Sequence, residues 1–69
     1  MITVYSLDCP KCLALKKRLT DKGIDFTLIE NRDEVVKVGS KFGVTDVPFM
    51  VVDDKVYNFL EAVDYIDNL

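Results

Sequence analysis

The 69 residues leave room for one small domain, 1–69, and a 49% hydrophobic content is that of a packed chain rather than a disordered one. Nine Lys plus Arg against twelve Asp plus Glu give a net charge of −3, which removes the electrostatic case for nucleic acid or an anionic membrane as partner. Histidine is absent, and with it Cys/His nucleophile pairs, His metal sites and imidazole acid–base catalysis.

Ile2 to Ser6 is β-branched and aromatic and predicts a strand. This start lacks the charged and apolar regions of a secretory signal, and no apolar run is long enough to span a bilayer, so a cytoplasmic location is expected. Pro10 suits the first turn of a helix that carries Leu13, Leu15 and Leu19 and stops at Asp21-Lys22-Gly23, with Gly23 as left-handed cap. Ile24, Phe26 and Leu28 alternate with polar residues and predict a second strand.

Asn31 to Asp33 offer N-caps for a second helix through Val35, Val36, Val38 and Phe42, weakened inside by Gly39 and ended by Gly43. Pro48 to Val52 is the most apolar strand, and Asp53-Asp54 predicts a hairpin turn into Lys55–Tyr57. The last segment sets Leu60, Val63, Ile66 and Leu69 near one helical face. The order is β-α-β-α-β-β-α. It predicts an α/β domain in which a four-stranded mixed sheet is flanked by three helices, the first two strands being parallel and the last two antiparallel.

Cys9-Pro10-Lys11-Cys12 falls where the first strand meets the first helix. Cys9 then sits beside unpaired helix N–H groups and the positive end of the dipole, which favour a thiolate. Cys12 follows one turn later and can form a disulfide with it. A thiol with pKa near 8.5 is about 3% ionised at pH 7, and one near 7 is about half ionised. Lys11 acts in the same direction and Asp8 against it. The expected roles are Cys9 as attacking thiolate and Cys12 as resolving thiol, with Pro10 and Lys11 modulating the thiolate.

Val4-Tyr5-Ser6 followed by Cys9-Pro10-Lys11-Cys12, and Thr45-Asp46-Val47-Pro48 before the third strand, resemble the glutaredoxin version of the thioredoxin fold over the whole chain. The resemblance implies a dithiol–disulfide oxidoreductase, active in electron transport, with a cis Val47-Pro48 bond and a loop of Thr45, Asp46, Val47 and Pro48 that binds substrate beside the cysteines. It implies no metal and no prosthetic group, with glutathione as a co-substrate where it is used. Compatible partners are a disulfide-bearing protein, ribonucleotide reductase among them, or a small disulfide. Leu7 and Asp8 stand where the family usually carries a lysine, and Tyr57-Asn58-Phe59 replaces its Gly-Gly and acidic residue. The electron donor therefore stays open between glutathione and a flavoprotein reductase of the thioredoxin-reductase type. A monomer suffices.

Other readings compete. Two thiols without histidine do not fill a tetrahedral zinc site, and a cluster or zinc shared between two copies needs a dimer. A purely structural disulfide closing so short a loop stabilises by only about 2 kcal/mol. A thioredoxin-like module that binds a partner without turnover is the main alternative. Tyr5, Phe26, Phe42, Phe49 and Phe59 read as packing, with Phe49 also placed to line a substrate groove, and Lys16, Lys17 and Arg18 as a solvated helix face.

Overall fold

The computed structural model describes residues 1–7, 9–44 and 46–69. The elements run β1 (Ile2–Tyr5), α1 (Pro10–Asp21), β2 (Thr27–Ile29), α2 (Arg32–Phe42), β3 (Phe49–Val52), β4 (Lys55–Tyr57) and α3 (Phe59–Asp67). The sheet has the order β2-β1-β3-β4. β1 pairs parallel with β2 and antiparallel with β3, and β3 pairs antiparallel with β4, so the sheet is mixed as expected.

The pleat sorts the strands' side chains onto two faces. Val4, opposite Met50 and Leu28, turns to the face covered by α1 and α3, where Leu15, Leu19, Ala62 and Ile66 close the main core. The other face carries Tyr5 and Phe49, opposite each other in the register and stacked with ring centroids 5.0 Å apart. Buried Val35 and Gly39 of α2 belong to this side, with Gly39 next to the Phe49 ring. Burying Phe49, 1% exposed, contributes about 2–3 kcal/mol by area.

α1 and α3 run side by side in the same direction. At their starts the Lys11 ammonium lies 5.7 Å from the Phe59 ring centroid. At their ends Arg18 pairs with Asp67 at 3.0 Å. Arg18 and Lys16, expected as merely solvated, thus hold partners, Lys16 pairing with Glu30 at 3.5 Å.

Three expectations need correction. The second strand begins at Thr27, because Ile24 instead returns its N–H to the Leu19 carbonyl in the turn after α1. Leu13, Leu60 and Leu69 are exposed, at 55%, 75% and 63%. The helical spacing of Leu13 and Leu60 matched that of core residues, but the neighbouring elements lie on other sides of those helices, and Leu69 lies beyond the end of α3. Gly39 is not simply a weak point: a Cβ there would lie 2.7 Å from the Val44 carbonyl oxygen, so glycine is what lets α2 and the following loop meet.

The turns follow the expected chemistry. Asp53 and Asp54 both take positive φ, 49° and 68°, as a two-residue hairpin turn of the mirror-image type requires. Gly43 ends α2 in the left-handed region at φ 73°.

The topology gathers the site. β1 and β2 end, and β3 begins, at one edge of the sheet, and β4 returns to it. α1, α2 and α3 therefore all start at that same end, together with the residues just before β3. Among the described residues no helix is long and apolar enough to cross a membrane.

Candidate active site

Cys9 is the N-cap of α1. Its backbone is extended (φ −146°, ψ 158°), and its Sγ accepts the N–H of Cys12 at 3.2 Å. Pro10 occupies the first helical position, where a missing N–H costs nothing and the fixed φ suits the helix. Cys9 and Cys12 are joined as a disulfide, with Cα atoms 5.2 Å apart. Cys12 is 1% exposed and Cys9 half-buried, so a molecule arriving from solvent meets Cys9 first.

The three helix starts differ in how they are closed. α2 is capped by Asn31 with Asp33 and Glu34 in its first turn, and α3 by a capping box in which Asn58 and Glu61 each hold the other's backbone N–H. α1 has a sulfur as its cap and no acidic residue in its first turn. Its positive end is thus left for whatever charge forms on Cys9.

Two grooves flank the cysteine segment. The first, of about 490 Å³, is lined by Lys11, Asp46, Val47, Pro48, Asn58, Phe59 and Leu60. The second, of about 300 Å³, includes Leu7, Arg32, Val35, Val36, Val44, Val47 and Phe49. Val47 borders both, and Cys9 lies in the chain between Leu7 of one and Lys11 of the other. Of the expected substrate loop, Asp46 is exposed, Val47 half-buried and Pro48 buried, and the Val47-Pro48 bond is cis. Thr45 and Asp8 lie outside the described residues.

Leu7, Arg32, Val36, Asn58 and Leu60 line these grooves without having been singled out as site residues in the sequence. The available signal was topological: with three helices starting at one sheet edge, the first residues of each belong to one surface. Among the described residues no group of three or more His, Cys, Asp or Glu gathers in a way that could hold a metal ion.

A family model described as the thioredoxin domain matches residues 1–59. The chain is similar to the glutaredoxin-like protein NrdH-redoxin from Escherichia coli, a protein described as having a thioredoxin-like activity profile. That likeness has a TM-score of 0.81 at 27% identity and covers 99% of this chain and 92% of that one. A glutaredoxin from Archaeoglobus fulgidus is 30% identical, with a TM-score of 0.66 over 83% of this chain and 72% of that one. Glutaredoxin 1 from Francisella tularensis, complexed with cacodylate, shares the fold at 20% identity, with a TM-score of 0.74 over 97% and 92% of the two chains. No curated protein matches the chain.

Proposed function

Because the chain belongs to the thioredoxin domain family, in its glutaredoxin-like form, we propose that it reduces disulfides through Cys9 and Cys12, with Cys9 as the attacking thiolate. The observation that carries this reading is the cap of α1: the Cys9 sulfur stands where the other two helices place asparagine. A thiolate there gains the Cys12 N–H and the helix dipole, Lys11 adds a positive charge nearby, and no acidic residue stands in the first turn of α1.

The reaction is two exchanges. The Cys9 thiolate attacks one sulfur of the substrate disulfide; the substrate S–S bond breaks, a Cys9–substrate bond forms, and the first substrate thiolate leaves and takes a proton from water. Cys12, its proton passed to solvent, attacks the Cys9 sulfur; the Cys9–substrate bond breaks, the Cys9–Cys12 bond forms, and the second substrate thiolate leaves and takes a proton from water. The substrate gains two electrons and the pair loses two. Electrons return from a thiol reductant, glutathione as co-substrate, or from a flavoprotein reductase acting on the Cys9–Cys12 disulfide. Val47 and Pro48, with Thr45 and Asp46 of the same loop, hold the incoming chain beside Cys9. The chemistry suits the cytoplasm, where such reductants are kept available.

The test is reduction of a protein disulfide by the reduced protein. Cys9→Ser abolishes it. Cys12→Ser performs the first exchange and stops, leaving a mixed disulfide at Cys9 that mass spectrometry detects. Binding of a partner with equal strength by Cys9→Ser, without any trapped species in Cys12→Ser, identifies a passive binding module instead.

A further inference from the structure

The two faces of the sheet are covered unequally. On one, α1 and α3 bury Cys12, Leu15, Leu19, Ala62 and Ile66. These helices also hold each other, through Arg18 with Asp67 and through Lys22, whose ammonium donates to the Asp67 carbonyl at 3.4 Å. The other face has α2 alone. Its one buried side chain is Val35, since its other buried residue, Gly39, has none. No residue of α2 belongs to the main core or packs against it. Among the described residues no side chain of α2 makes a hydrogen bond or ion pair with another element. The cover is also incomplete: Thr27, Thr3, Val51 and Val56 lie side by side across the four strands on that face, exposed or half-buried.

Nor does α2 hold itself together well. Val35, Val36 and Val38 lose side-chain freedom in a helix, and Gly39 is the poorest helix former after proline. A helix of 11 residues is marginal in water without packing. The segment has a joint at each end, Asn31 in an extended conformation and Gly43 in the left-handed region. Beyond these joints the chain is tied to the sheet. The Ile29 carbonyl accepts the Ser6 N–H at 3.0 Å, and Phe49 pairs with Tyr5. Val44 goes with the helix, because its N–H donates to the Gly39 carbonyl at 2.7 Å.

We infer that the segment from Asn31 to Val44 is a lid on the second face of the sheet, and that it opens and closes as one unit while β1, β3, α1 and α3 stay folded. The closed form prevails, because opening bares the Phe49 ring, 1% exposed beneath it. The opening leaves the cap of α1 in place, so the cysteine pair and the lid belong to separate folding units. A partner that touches α2 selects the closed form, and the open population lowers its apparent affinity. This inference goes beyond the redox reading and does not depend on it.

The experiment is amide hydrogen exchange of the full chain under native conditions, with a series of low urea concentrations. The helical amides of Val36 to Phe42 are expected to be protected about tenfold or more less than those of Val4, Leu19 and Met50. Their urea slope is expected to be about a fifth of the slope at those core amides, the share of the chain that the lid represents. Ile66→Val thins the main core and not the lid. It is expected to lower protection at Val4 and Met50 about threefold to tenfold and to leave that of α2 unchanged. Trypsin gives an independent reading, because both helices carry exposed sites. Under native conditions the first cuts are expected after Lys37 and Lys41 of α2, ahead of Lys17 of α1. Equal protection and slope in α2 and the core, an equal fall of both in Ile66→Val, or first cuts in α1 overturns the inference and leaves the redox reading standing.

Discussion

The backbone N–H of Cys12 points at the sulfur of Cys9 from 3.2 Å, so the first helix is capped by the atom proposed to do the chemistry. That contact strengthens when the sulfur is ionised. In the reduced protein, alkylation of Cys9 is expected to show a pH midpoint below that of a free thiol and a rate at pH 7 about tenfold above one. Cys12, almost fully buried, is expected to react slowly. Site-resolved mass spectrometry over a pH series reads both; two thiols titrating alike in the ordinary range count against the assignment.

Gly39 and the Val44 carbonyl meet so closely that a methyl group cannot fit between them without movement. Gly39→Ala is expected to destabilise the fold by about 1–3 kcal/mol through overpacking, despite alanine's better helix propensity. The cost is read from the denaturant midpoint. An unchanged or raised midpoint shows that α2 shifts freely.

Asn58 and Glu61 hold each other's backbone N–H at 2.8 and 3.1 Å. Asn58→Ala removes the cap of α3 and is expected to cost about 1 kcal/mol, a fall in Tm of about 4–8 °C for a domain of this size. Calorimetry measures it.

The Arg18–Asp67 pair looks strong in distance but is half exposed on both sides. Arg18→Ala is expected to change stability by less than about 1 kcal/mol, the usual worth of a surface ion pair. Leu19→Ala, one residue along and fully buried, is expected to cost about 2–5 kcal/mol. Matched urea titrations of the two variants separate charge from packing.

Much of the fold was legible in residues whose chemistry is local. Pro10 marks the first helical turn, Asn31 a cap, Gly43 a stop, and two aspartates a turn, because each constrains the backbone by itself. Cys9 and Cys12 were legible for the same reason: their spacing and the helix start are both local. Leu13 and Leu60 were misread because a period of 3.6 says which residues share a face but not which face is covered. The capping box at Asn58 was missed because the helix was started at Leu60, one residue late. The grooves were least visible of all. Their walls come from four separate chain segments, joined only by strand pairing and helix direction.

The strand order carries a consequence for how the chain is made. β1 emerges first, yet it lies inside the sheet, with Thr3 between Thr27 and Val51. A chain synthesised only to Gly43 has β1 with one side unpaired, and Val4 without Met50 and Ile66 to cover it. Such an intermediate presents a sticky edge until β3 arrives. Slow translation between α2 and β3 should therefore favour aggregation more than the same delay after Tyr57, when only α3 remains to dock.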